Sequence, residues 1–121
     1  MDPAEFASPE NFPCLLWIVA VDEGATRTLV FGGEWDISNC DDAWHAIALA
    51  LGRGPERLVL DLSGVSFIDA TAVHQVLDAH KRAVAQGTRL QIAPGPRSVQ
   101  RVFDLSGLSD ELPFTGEDGN L

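Results

Sequence analysis

The chain has 121 residues, 45% of them hydrophobic and 21% charged, a composition that excludes wholesale disorder and supplies one domain with a closed core. Eight basic residues against 18 acidic ones give a net charge of −10, a field that repels phosphate backbones and anionic membranes and argues against nucleic acid as a partner. The longest apolar stretch, Cys14 to Val21, has eight residues, whereas a bilayer-spanning helix needs about 20.

Met1 to Phe6 has no periodicity, and its Glu5-Phe6 pair is what a common cloning site encodes. With residues 7–13, which carry two prolines, it is expected to form a disordered lead-in over 1–13, ahead of a domain over 14–114 and a flexible tail over 115–121. Acidic residues stand where a signal peptide has its basic region, so a cytoplasmic protein is expected. Cys14 and Cys40 lack C-x-x-C spacing and are expected to be free thiols.

The run from Cys14 to Val21 reads as a strand, stopped by the turn residues Asp22-Glu23-Gly24. A second short strand, Thr28 to Phe31, follows after a connection of about six residues and reads as the other arm of a hairpin. Gly32 and Gly33 end it, and Glu34-Trp35-Asp36 leads into a helix capped by Ser38 or Asn39. Asp41 and Asp42 suit the first turn of that helix, and Trp44, Ile47, Ala48 and Leu51 form its apolar stripe. Gly52 and Gly54-Pro55 terminate it.

Arg57 to Leu62 is a strand whose unbroken Leu58-Val59-Leu60 suits a sheet covered by helices. A turn at Ser63-Gly64 is expected next, followed by Phe67-Ile68-Asp69. Helical spacing resumes from Thr71 to Gln86 through Val73, Val76, Leu77, Ala83 and Val84, and Gly87 ends the helix. Leu90 to Ala93 is a strand. Ser98 caps a third helix with Val99, Val102 and Phe103 on one face and Gly107 at its end, and a last strand is possible over Leu112 to Phe114. The order β-β-α-β-α-β-α, with or without a final β, predicts an α/β fold with a mixed sheet of four to five strands and three to four helices.

Catalytic patterns are missing. There is no phosphate-binding glycine loop, no G-x-S-x-G elbow and no H-x-x-x-H pair, so neither an enzyme, a metal site nor a bound cofactor is expected. His74 and His80 lie six residues apart on one helix, about 120° from each other around its axis. His80 reads as a packing residue and His45 as solvent-facing. The segment Asp61-Leu62-Ser63-Gly64-Val65-Ser66-Phe67-Ile68-Asp69-Ala70-Thr71-Ala72-Val73 stands out, because it runs from a buried strand into a helix start. In open α/β sheets functional groups gather just beyond the carboxyl ends of strands, where Asp69 and Thr71 fall. On the residues alone, the favoured reading is the plainer one, in which Asp69 simply caps the helix and Thr71 fills its first turn.

That segment resembles the D-L-S-G-V-x-F-[IM]-D-[ST]-[ST]-G-L stretch of the STAS domain, the family of bacterial anti-sigma factor antagonists. Gly33-Glu34-Trp35-Asp36 is similar to its G-E-L-D turn, and Gln86-Gly87-Thr88-Arg89-Leu90 to its helix-ending G-x-x-L. Arg97 to Leu108 is similar to its third helix and terminal S-G-L. The resemblance covers residues 14–114. It implies a regulatory binding protein, itself no enzyme, that binds an anti-sigma factor of histidine-kinase-like fold and so frees a sigma factor. It further implies that this partner phosphorylates the second hydroxyl position of the motif, here Thr71, and that a PPM-type phosphatase reverses the modification. Asp36, Asp69, Ala70, Thr71 and Ala72 are the partner-binding positions on this mapping. Two positions depart from the motif. Ala70 stands where Ser or Thr is usual, and Ala72 where Gly is usual, so a methyl at 72 is expected to limit the partner's approach to the backbone. The alternative is a STAS-fold module that senses a small ligand or nucleotide without phospho-switching.

Overall fold

The structure, a computed structural model, describes residues 15–115. The expected lead-in, Cys14 and the tail beyond Thr115 lie outside the described residues. The hairpin comes first: β1 (Leu16–Glu23) and β2 (Thr26–Trp35) are antiparallel and joined by Gly24-Ala25 alone. Gly24 takes φ +61°, the left-handed conformation that a two-residue hairpin turn demands. The expected six-residue connection is shorter because both strands pair to their last residues, Glu23 with Thr26.

Then follow α1 (Cys40–Gly52), β3 (Arg57–Ile68), α2 (Ala70–Gln86), β4 (Arg89–Ala93) and α3 (Arg97–Leu105). The sheet order is β1-β2-β3-β4, with β2, β3 and β4 mutually parallel. This is the mixed α/β architecture that the sequence predicts, with four strands and three helices. The last candidate strand shrinks to one parallel bridge between Ile92 and Phe114.

Period-2 alternation in the strands decides where the core lies. Leu29, Phe31, Leu58, Leu60, Leu62, Leu90 and Ile92 are buried and share one cluster with residues of all three helices. The helices therefore cover one face of the sheet. Trp35 and Phe31 stack at 4.5 Å between ring centroids, and Phe103 meets Phe114 edge to face at 5.0 Å. Each fully buried large side chain contributes about 1.5–3 kcal/mol of transfer free energy.

Two expected breaks are continuous strand. β2 runs through Gly32-Gly33, and β3 runs through Ser63-Gly64. Glycine usually weakens strands, but here the indole of Trp17 lies across Gly32. A Cβ on Gly32 would stand 1.9 Å from Trp17 Cζ2, and Gly64 pairs directly with Gly32. Register shifts between Val30 and Gly32 and between Gly33 and Glu34 absorb the irregularity as bulges rather than turns.

The helices differ from expectation in detail. α1 starts at Cys40 after Asn39, whose side chain builds the preceding loop instead of capping. Its buried stripe is Ala43, Ile47, Ala50 and Leu51, with Trp44 only partly buried against the core. α3 starts at Arg97 after Pro96, so Ser98 lies inside it and is not its cap. Val84 of α2 is 66% exposed and takes no part in the core. His45 is exposed, as expected, and His80 is part-buried.

Candidate functional site

The parallel strands β2 and β3 end side by side, and everything of interest at their carboxyl end hangs on that pairing. The Asp69 N–H donates to the Trp35 carbonyl at 3.3 Å, tying the start of α2 to the end of β2. Asp69 is the N-cap of α2. Its Oδ1 accepts from the Ala72 N–H at 3.0 Å, satisfying one of the amides that every helix start leaves unpaired. Its Oδ2 accepts from the Ile37 N–H, also at 3.0 Å. One carboxylate thus joins the helix to the β2–α1 loop.

The loop has its own polar lining. Asp36 Oδ1 accepts from the Ser38 N–H at 2.9 Å and from the Ser38 hydroxyl, an Asx turn in a loop of four residues. Asn39 accepts from the Asp36 N–H and donates to the Glu34 carbonyl at 2.8 Å. Gln75, one turn into α2, accepts from the Trp35 indole N–H at 2.9 Å and donates to the Cys40 carbonyl at 2.7 Å. The starts of both helices and the end of β2 are therefore held by a connected set of side-chain hydrogen bonds. Cys40 carries a free thiol beside the Ile37 carbonyl, at 3.3 Å.

Of the positions singled out in the sequence, Asp36, Asp69, Ala70 and Thr71 come together on this rim, with Ala70 exposed and the other three part-buried. Among the described residues none hydrogen-bonds the Thr71 hydroxyl. Ala72 is different: it is fully buried, so its methyl packs into the core and cannot hold a partner away from the backbone. The expectation of a steric limit at Ala72 is corrected on that ground. His74 Nδ1 lies 2.8 Å from the Ala70 carbonyl, an acceptor, so this nitrogen carries the proton and is no base for Thr71.

Sequence reasoning passed over three residues here. Ile37 is 70% exposed and Phe67 is 48% exposed, two large apolar side chains on the loop and the strand that lead to Asp69. Their signal was an apolar residue inside a polar turn and an odd-register apolar residue before Asp69. Gln75 gave no signal, because its role depends on Trp35, 40 positions away in sequence. Among the described residues no three His, Cys, Asp or Glu side chains converge as a metal site, and no helix is long and apolar enough to cross a membrane.

The fold is a small α/β domain with the start of α2 at the carboxyl end of its parallel strands. The chain belongs to the STAS-domain family: the family described as "Mlab, STAS domain" matches residues 19–114. It is 30% identical over 84 residues to the anti-sigma-F factor antagonist RsfA of Mycobacterium tuberculosis, covering 67% of this chain. The match spans 65% of the length of that curated relative. Among solved structures, an anti-sigma factor antagonist from Mycobacterium paratuberculosis superposes with a TM-score of 0.78 at 20% identity, over 84% of this chain and 86% of that one. The anti-sigma factor antagonist SpoIIAA in its unphosphorylated form gives 0.69 at 21% identity, over 84% and 90%. At such identities the structural likeness establishes the fold.

Proposed function

We propose that this STAS domain is an anti-sigma factor antagonist that works by partner switching, with Thr71 as its phospho-acceptor. The unmodified rim docks on an anti-sigma factor of histidine-kinase-like fold, and the sigma factor held there is released. That partner carries the ATP. The Thr71 oxygen takes the terminal phosphoryl group, ADP leaves, and the hydroxyl proton passes to a base of the partner. A PPM-type phosphatase returns the hydroxyl by hydrolysis. The domain itself is a regulatory binding protein and has no catalytic role.

One observation carries the reading. A hydroxyl with no hydrogen-bond partner among the described residues stands in the first turn of α2, at the rim that also carries exposed Ile37 and Phe67 and two carboxylates that accept from backbone amides. Apolar neighbours provide area for docking. Satisfied carboxylates can enter an interface without leaving a bare charge behind. A phosphate adds about −1.5 to −2 charges next to Asp69 and Asp36, and repulsion and desolvation then act against the docked state. The names of the relatives support the same role, and one solved structure of this fold is SpoIIAA in its phosphorylated form.

The test is incubation of the chain with ATP and its cognate anti-sigma kinase, followed by peptide mass spectrometry. The expected result is one added phosphate of about 80 Da on Thr71. Modification at Ser66 instead, or none with a kinase proven active, refutes the assignment.

A further inference from the structure

The opposite end of the sheet carries an unassigned feature. Arg57 opens β3 and Arg89 opens β4, and the two are register partners on adjacent parallel strands. Their neighbours in the alternation, Leu58 and Leu90, face the helices, so both guanidinium groups project from the other face. Among the described residues the only ion pair is Arg27 with Asp22, at 2.7 Å, so no carboxylate lies within 4.0 Å of Arg57 or Arg89. Like charges directly opposite one another destabilise a sheet, and among the described residues no ion pair neutralises these two on a chain whose net charge is −10.

The two arginines line a cleft of about 490 Å³ together with Ala25, Thr26, Glu56 and Gly87. Its walls are fixed from behind. The Arg89 N–H donates to the Glu56 carbonyl at 2.9 Å, the Thr88 hydroxyl donates to the Pro55 carbonyl at 3.0 Å, and Gln86 donates to the Leu51 carbonyl at 2.8 Å. A planar guanidinium is the side chain best matched to a phosphate, because its fork makes two parallel hydrogen bonds. Two such forks with the Thr26 hydroxyl beside them form a donor set for a small anion bearing one or two phosphates. The volume falls in the range of small-molecule sites.

We infer that this cleft binds a phosphate-bearing small anion, at a site separate from the Thr71 rim. β3 runs from Arg57 to Ile68, about 36 Å at the rise of an extended strand, and α2 returns from the rim to Gly87 at the cleft. The strand and the helix that carry Thr71 thus begin and end at the cleft.

The test uses inorganic pyrophosphate as probe, titrated into the full chain by calorimetry at low and at physiological salt. Saturable one-to-one binding with a dissociation constant at or below about 1 mM is expected. Arg57→Gln and Arg89→Gln should each weaken it about tenfold, the loss of one charge-assisted fork. Arg101→Gln, on α3 and outside the cleft, should leave it unchanged. Glu56→Gln removes a repelling carboxylate from the lining and should tighten binding about threefold, which keeps the test decisive even if an arginine variant misfolds. No saturable binding overturns the inference. So does an equal loss in Arg101→Gln, which would show diffuse charge attraction only.

Discussion

The two ends of the parallel strands solve opposite electrostatic problems. At the carboxyl end, Asp36 and Asp69 are held by backbone amides of the loop and helix, and what remains is the Thr71 hydroxyl and exposed apolar surface. At the amino end, Arg57 and Arg89 face each other with Glu56 in the same cleft but, among the described residues, no ion pair to either arginine. The first end is complete by itself and can be changed by adding charge. The second is incomplete and can be improved by adding charge. The same sheet therefore separates a surface suited to a protein from a cleft suited to an anion, although their residues are joined directly by β3.

Glycine substitution breaks this comparison most severely. Gly33 takes φ +92° at the carboxyl end, and a Cβ there would meet the Leu15 carbonyl oxygen at 2.1 Å. Gly87 takes φ +82° at the other end, with open space around it. Gly33→Ala should cost about 2 kcal/mol or more, from strain plus a backbone clash, and Gly87→Ala about 1 kcal/mol, from strain alone. Urea melts of the two variants check the order. Equal losses would mean that the Leu15 contact yields freely.

A smaller effect sharpens the account of the rim. Asp69→Ala removes the cap of α2 and the bond to Ile37 together, and should cost about 1–2 kcal/mol in the same melts. Asp69→Asn retains a capping oxygen but cannot accept from both amides. It should keep most of the stability while weakening partner binding, because the Ile37 loop is released. A variant with parent-like affinity would show that the loop position does not matter to docking.

Much of this was legible in chain order. The alternation of apolar runs with helical spacing fixes β-β-α-β-α-β-α, and the step from a buried strand to Asp69 locates the rim. What sequence could not show were contacts between distant residues. Gly32-Gly33 looks like a strand end until Trp17 is seen lying across it. Asn39 looks like a cap until its side chain is found bonded to Asp36 and Glu34. Ala72 looks like rim surface until its methyl is found in the core, since the 3.6-residue period puts it with Val73 and Val76 on the inward face of α2. The paired arginines needed the register of β3 against β4, which no local pattern encodes.

The smallest effect concerns acid. Arg27, through its hydrogen bond to the Asp22 carboxylate, holds that carboxyl below its ordinary value of 3.8. A carboxyl with a lowered folded-state value contributes stability above the ordinary value and loses it as pH falls through the lowered one. Melts of the parent and Asp22→Asn should therefore differ slightly at neutrality and converge in strong acid. The gap stays small because the pair is exposed and screened. A gap that persists in strong acid would assign the effect to something other than this ion pair.

The central claim is that charge at Thr71 decides whether the rim can dock. It is tested most directly by the affinity of the parent chain, Thr71→Ala and Thr71→Glu for the anti-sigma factor, measured side by side at physiological salt. The account predicts that Thr71→Ala binds within about threefold of the parent, because no hydrogen bond of the hydroxyl is lost, and that Thr71→Glu binds at least about a hundredfold more weakly. Parent-like binding by both variants would contradict it and would place Thr71 outside the interface.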